Sequence, residues 1–417
     1  MTLLHVTTAD AWTSLQRDGV WLPAPFWHLC TAAQLPFVLA QHSVRSADRT
    51  RSVDVTVIGV PFTSSQIMDG FRVGDTAWAR DQVDRAVALA EERGATIVGF
   101  GGYTSIVTNN CRTVIPERAA LTSGNALTAA ACVRAVLGGS ARLGLGPLRI
   151  GVVGALGNIG HVLAELLIDD AASMVLIGRS AGQARLERRA EDLAVAAWRR
   201  ALEDGIRTGL PGALLETPLG RVLGDAAGDA SAPGRLGLIG AIAAGSILQA
   251  ISGSGGDARV RASLAAAARG RIDASTSLDA VATCNVIVTA SNAPQPLLEP
   301  RHFGDGRVLV VDVAVPGDVD PRVAREKPNV VVIEGGRVCL PGGQRIDLPG
   351  MPSAEGSIYG CLAETLLLGL EGHARDFATG ALSPAIVRRA AALAERHGFV
   401  LDEGEMSSFP ARAAINV

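Results

Sequence analysis

Lysine is nearly absent from this 417-residue chain, and no two of its six cysteines stand in Cys-x-x-Cys spacing. The first lack, beside abundant alanine and glycine, points to a high-GC genome rather than to a function. The second excludes the usual zinc spacings and a disulfide framework, because Cys30, Cys111, Cys132, Cys284, Cys339 and Cys361 are scattered. A reduced, cytoplasmic protein is the expectation. Charge of one sign is lacking too: the formal net charge is −3, which gives no electrostatic case for nucleic-acid binding. Met1 leads into polar sequence containing His and Asp, unlike a secretory leader. One run raises the membrane question, Leu236 to Ile251, apolar apart from Ser246 and Gln249. It is shorter than the roughly 20 residues a spanning helix needs. No stable membrane span is expected, and the run reads as a buried or docking helix, with a membrane-surface or partner-binding segment as the alternative.

What the chain does have is core: 48% hydrophobic and 19% charged residues over a length that suggests two or three domains. It is organised around a stretch near its middle. The apolar run Leu148 to Val153 meets Gly154, Gly157 and Gly160, and a helical pattern continues through Val162, Leu163, Leu166 and Leu167. This is a buried strand, a tight turn and a helix start. Its glycines and free N–H groups suit a pyrophosphate. A second apolar run, Met174 to Ile177, ends in Gly178-Arg179-Ser180, with an arginine where an acid would hold a ribose 2′-hydroxyl. That pattern favours NADPH over NADH. The residues expected at the cofactor are Gly154, Ala155, Gly157, Asn158, Ile159, Gly160, Arg179 and Ser180, with Ala290 and Ser291 at the end of a later strand.

In chain order, residues 1–48 read as a small separate element in which His5 and His28 invite thought of a binding site, although a packed aromatic mini-core serves as well. Arg45 to Arg51 reads as a linker. An α/β substrate-binding domain is expected over 53–140. Its strands are Val55 to Val60 and Thr96 to Phe100, and a helix runs from Trp78 to Arg93. Leu121-Thr122-Ser123-Gly124-Asn125 opens a long alanine-rich helix, and its polar groups either hold a carbonyl oxygen or an anion or cap that helix. A Rossmann-type doubly wound domain is expected over 147–350, with strands at 282–290, 307–312 and 329–333. An insertion at about 185–275 begins with a helix, Ala184 to Ala201. C-terminal helices occupy 352–400, where Ile358, Cys361, Leu362 and Thr365 share a helical face. The final helix, Pro384 to His397, stops at Gly398.

Several collinear motifs carry a resemblance. Gly101-Gly102-Tyr103-Thr104-Ser105-Ile106, Thr122-Ser123-Gly124-Asn125 with Thr128-Ala129, the glycine turn followed by Gly178-Arg179-Ser180, Ile358-Tyr359-Gly360-Cys361-Leu362-Ala363-Glu364 and Arg396-His397-Gly398-Phe399 resemble the cyanobacterial long-chain acyl-[acyl-carrier-protein] reductases. The likeness covers about 53–180 and 280–400. It implies NADPH-dependent reduction of an acyl thioester, on acyl carrier protein or CoA, to an aldehyde through an acylated cysteine. Cys361 matches the family's nucleophile, with Cys339 and Cys111 in reserve. Thr122, Ser123 or Asn125 would steady the developing oxyanion. Asp312 to Asp320 looks locally like glutamyl-tRNA reductase. The chain departs from the first family at Leu127, where that family has a histidine, at Val313 to Gly317, over the first 48 residues and in the insertion. Two alternatives stand beside the reductase. One is a related NADP-dependent oxidoreductase acting on another carbonyl or an aminoacyl ester. The other is a non-catalytic NADP-binding protein whose 185–275 insertion docks a partner. Homo-oligomerisation is left open.

Overall fold

The computed structural model describes residues 2–5, 35–62, 64–208, 268–293, 295–348 and 356–403. Five strands make the first sheet: β1 (Thr2–His5), β2 (Phe37–Arg45), β3 (Ser52–Val60), β4 (Ile97–Phe100) and β5 (Ala120–Thr122), in the order β2-β3-β1-β4-β5. β1 is central and parallel to β3 and β4, and β2 pairs antiparallel to β3. Helices α1 (Ser64–Val73), α2 (Ala77–Glu92) and α3 (Tyr103–Val107) accompany it. Ile58, Val60, Val98 and Phe100 are fully buried together with Val83, Ala86 and Ala90 of α2.

Two expectations are corrected here. Thr2–His5 and Phe37–Arg45 hydrogen-bond into this sheet, so in its described parts the stretch 1–48 is not a separate element. Its expected helix at 10–18, and His28, lie outside the described residues. Arg45 to Arg51 is a hairpin turn rather than a linker. Asp48 accepts from the Ser46 hydroxyl at 2.5 Å and from Thr50 N–H at 3.0 Å, and these bonds hold its carboxyl down at about 2.

Helix α4 (Asn125–Arg142) joins the first sheet to the second. It contacts Val308–Asp312, Asn158–Leu167, Gly360–Glu371 and Pro384–His397, and its small residues allow that crowding. A Cβ on Gly139, for instance, would stand 2.8 Å from a Leu309 methyl. The second sheet has six strands, all parallel: β6 (Leu148–Val153), β7 (Ala171–Ile177), β8 (Ile272–Ser275), β9 (Val286–Thr289), β10 (Val308–Asp312) and β11 (Val330–Glu334). Their spatial order is β11-β10-β9-β6-β7-β8. Strands buried on both faces need continuous apolar sequence, and Val286, Ile287, Val288, Leu309, Val310 and Val311 supply it. Helices α5 (Asn158–Leu167), α6 (Gln183–Thr208) and α7 (Arg322–Glu326) belong to this part of the chain. Val162, Leu163, Ala164 and Leu167 of α5 are fully buried, each large side chain contributing about 1.5–3 kcal/mol. The chain is thus a mixed α/β protein.

A small antiparallel sheet, β13-β12-β14, is made of β12 (Arg337–Cys339), β13 (Ser357–Tyr359) and β14 (Val400–Leu401). β13 runs straight into α8 (Gly360–Glu371), and α9 (Pro384–His397) follows. The face predicted for Ile358, Cys361, Leu362 and Thr365 therefore loses its first member. Ile358 lies on a strand paired with Val338, because β12 offers its backbone a partner before the helix begins. Leu236 to Ile251 and the remainder of 209–267 lie outside the described residues. Among those described, no helix is long and apolar enough to cross a membrane.

Candidate active site

The three glycines of the central turn do different jobs. Gly154 has φ +80°, a backbone L-residues rarely adopt, and a Cβ there would stand 2.6 Å from the Ala290 carbonyl oxygen. Gly160 lets α5 press on the turn, since its Cβ would meet Gly154 O at 2.4 Å. Gly157 has an ordinary φ of −72° and lines a cleft of about 370 Å³, as do Asn158 and Ile159 at the start of α5. That volume lies within the range of small-molecule sites, roughly 300–1,000 Å³. The first N–H groups of a helix lack partners inside it, so this end of α5 suits an anion.

Cys361 lines the same cleft. It is partly exposed, in the first turn of α8. Its surroundings pull two ways. Burial pushes the thiol up to about 11, and the nearby Glu364 adds to this. The N–H groups of Leu362, Cys361 itself and Gly102 favour the thiolate but do not prevail. Gly124 makes the position: at φ +72° it lies so close that a Cβ would stand 2.3 Å from Cys361 Cβ. Gly360 is similarly tight, its Cβ falling 2.8 Å from the backbone of Thr128. The N-termini of α4 and α8 are thus pressed together, and larger residues at either glycine would part them.

A buried carboxylate locks this contact. Glu364 accepts from Leu127 N–H at 2.7 Å and from the Thr122 hydroxyl. Burial raises it to about 7 against those bonds. Thr122 is thereby engaged. Ser123 is as well, donating its hydroxyl to Ala378 O at 2.6 Å while 1% exposed. Ser123 does not line the cleft, so of the three expected oxyanion donors only Asn125 does. Its Nδ2 donates to Asn110 Oδ1 at 3.1 Å.

The loop from Asp376 to Leu382 ties the halves together. Leu121 N–H donates to Asp376 Oδ1 at 2.9 Å, and Gly380 N–H donates to Asn110 O at 2.8 Å. Asn158 grips the same loop, donating to Gly380 O at 3.1 Å and accepting from Leu382 N–H at 3.0 Å. Asn158, expected at a ligand, therefore has its amide engaged in holding the turn against the loop.

Ser291 behaves likewise. Its N–H donates to Asp318 Oδ2 at 3.1 Å and its hydroxyl to Asp318 Oδ1 at 2.5 Å. Asp318 is fully buried beside Asp312, and burial raises it to about 6. Asp312 accepts from Thr289 Oγ1 at 2.7 Å and from the N–H groups of Ala314, Asp318 and Val319. The two carboxyls fold the Val313–Val319 loop back so that Val313, Ala314 and Val315 line the cleft.

Cys361, Asn125, Gly157, Asn158, Ile159, Ala290 and Ser291 are brought to one cleft. Gly154, Ala155 and Gly160 shape the turn behind it and do not line it. Arg179 and Ser180 are exposed and stand outside the lining, although the Arg179 charge acts on Tyr103. The reserve thiols do not line it either: Cys111 is buried and pushed far up by burial, and Cys339 sits on β12. Sequence reasoning missed Asn109, Asn110 and the N–H of Gly102. The Asn-Asn pair carries no spacing signal, and only the folded chain brings it into the cleft that Cys361 lines. Among the described residues no cluster of His, Cys, Asp and Glu could hold a metal ion.

No family model matches the chain. A curated relative is the aminotransferase PigE of Serratia sp. (strain ATCC 39006), 25% identical over 333 residues, which cover 78% of this chain. The chain spans 30% of that relative's length. The likeness is to an enzyme, but to one named for a different family. That finding corrects the resemblance to acyl-[acyl-carrier-protein] reductases and its local echo of glutamyl-tRNA reductase. The expected reduction of an acyl thioester to an aldehyde falls with it, and so does NADPH as the cofactor. The NADP-based alternatives gain no support. The physical reason is that short glycine, hydroxyl and cysteine motifs recur at helix starts throughout α/β proteins and report backbone geometry before chemistry.

Proposed function

We propose that the chain is an enzyme of Rossmann-type architecture in which the Gly154–Gly160 turn receives a phosphate-bearing ligand and Cys361 attacks an electrophilic carbonyl in the same cleft. Counted from β6, the second sheet has the order 3-2-1-4-5-6, and the turn stands where the order reverses, between β6 and β9. Ligands of doubly wound sheets bind outside the carboxyl ends of the strands at that point. The observation that carries the reading is the shared cleft: Gly157 and Cys361 line one space although the chain between them is about half its length.

The relative's name raises aminotransfer as a second reading. Aminotransferases carry pyridoxal phosphate on a lysine amine. This chain has one lysine, Lys327. It follows α7, pairs with Asp305 at 3.9 Å and does not line the cleft. The residues present do not fit that cofactor, so no step through it is derived. The likeness covers under a third of PigE, and the rest of that protein is free to hold the chemistry its name states.

In the proposed reaction the Cys361 sulfur forms a bond to the carbonyl carbon, the carbonyl electron pair moves to oxygen, and the thiol proton leaves to solvent. The N–H groups of Leu362 and Gly102 steady the sulfur. Calorimetric titration with inorganic pyrophosphate, paired with iodoacetamide labelling of Cys361 followed by mass spectrometry, tests the reading. Pyrophosphate is expected to bind and to change the labelling rate at Cys361. Gly157→Ala should weaken binding at least tenfold while the fold persists, because its φ is ordinary and its Cβ would stand 3.1 Å from Gly154 O, a tight contact that a shift of a few tenths of an ångström in the turn relieves. Binding that leaves Cys361 labelling untouched would refute a common site.

A further inference from the structure

Outside the glycine turn and the cysteine, the most unusual backbone in the described chain lies in the cleft wall. Asn109, Asn110 and Cys111 have φ of +50°, +54° and +69°, three successive L-residues in the left-handed region. The cost is about 1–2 kcal/mol for Cys111 and less for the two asparagines, whose side chains tolerate this region, and such strain persists only where surrounding contacts impose it. The contacts are present. Asn110 N–H donates to Ser105 O at 2.7 Å, its carbonyl accepts from Gly380 N–H at 2.8 Å, and its Oδ1 accepts from Asn125 Nδ2 at 3.1 Å.

The consequence is an oriented amide. With Oδ1 turned to Asn125, the Asn110 NH₂ group stays available on a side chain that lines the cleft, and among the described residues nothing accepts from it. Asn125 directly follows Gly124, on which a Cβ would stand 2.3 Å from Cys361 Cβ. Asn110, Asn125 and Cys361 all line the one cleft.

We infer that Asn110 is the donor that holds the carbonyl oxygen while Cys361 attacks, and that Asn125 is its positioning residue. The inference rests on the proposed nucleophilic role of Cys361. As the Sγ–C bond forms, the carbonyl electron pair moves onto oxygen, and the Asn110 N–H groups meet that charge. When the oxyanion collapses, the leaving group departs with its electron pair and the oxygen lets go of the amide. A pre-oriented donor of this kind is worth about 10²–10³ in rate. Asn125 holds the Asn110 side chain in place through the bond between their amides.

Two reagents separate this role from a structural one. p-Nitrophenyl acetate acylates Cys361 through an oxyanion, with p-nitrophenolate as the leaving group. Iodoacetamide alkylates the same sulfur by displacing iodide, with no oxyanion. Asn110→Gly removes the amide while permitting the positive φ, so the fold is kept. We expect it to slow acylation about 100-fold and to leave alkylation within about twofold. Asn125→Ala should slow acylation by less, about tenfold, again sparing alkylation. Equal effects on both reagents, or none on acylation, would overturn the role of Asn110. Wild-type protein in which neither reagent modifies Cys361 would instead overturn the nucleophile and the inference with it.

Discussion

Replacing Gly124 by alanine tests the contact on which the candidate site is built. Two costs can be read from the structure. The first is conformational: φ is +72°, and an L-residue there loses about 1–2 kcal/mol. The second is steric. The new Cβ would stand 2.3 Å from Cys361 Cβ and 2.4 Å from its Cα, well inside any normal carbon contact. Neither atom belongs to a flexible side-chain end, so α4 and α8 must separate by about 1 Å, an overpacking cost of about 1–3 kcal/mol. The total is about 2–5 kcal/mol. Gly144→Ala isolates the second cost. Gly144 sits past the other end of α4 at φ +61° with nothing within 4 Å of its Cβ, so only the first cost applies. Urea unfolding followed by circular dichroism reads the difference. At a slope of roughly 3 kcal/mol/M, Gly124→Ala should unfold about 0.3–1 M earlier than Gly144→Ala. The iodoacetamide rate at Cys361 should change in the first variant and not in the second. Two variants with the same midpoint and the same alkylation rate would refute the close approach of Gly124 to Cys361.

Two pH dependences follow from groups that partial or full burial perturbs. With the Cys361 thiol held up at about 11, alkylation should rise about tenfold per pH unit from 7 to 9, and a plateau in that range, read by intact-mass kinetics, would contradict the cause assigned here. Asp318 has the opposite kind of readout. Its folded value of about 6 lies above the ordinary 3.8, so its contribution to stability is present below the unfolded value and is lost as pH rises through about 6. Relative to Asp318→Asn, the wild type should therefore show its larger urea midpoint at pH 4 and a smaller margin at pH 8. A margin that grows with pH would reverse the sign argued from burial.

Asn158 and Ser291 illustrate how a site residue can be legible and its role hidden. The sequence marks both as cofactor ligands from their place after strands. The structure engages both in holding loops, one on Gly380 and Leu382, the other on Asp318. The direction of a polar side chain depends on partners 27 to 224 positions away, and local pattern does not carry that information. Thr122 and Ser123 went the same way, taken up by Glu364 and Ala378.

The amino-acid order alone determined the parallel α/β core, because apolar runs such as Ile150 to Val153 and Val308 to Val311 cannot be solvated on either face, and it determined the glycine turn, because Gly154 needs a left-handed backbone. It also marked Cys361 at the foot of a helix. Tertiary structure alone decided that β1 joins the first sheet, that Ile358 leaves the helix for a strand, and that Asn110 lines the cleft with Cys361 while Ser123 does not. The physical reason is range. Burial periodicity and backbone permissiveness act within a few residues, whereas strand pairing and side-chain hydrogen bonds are chosen by whatever the rest of the chain packs against them.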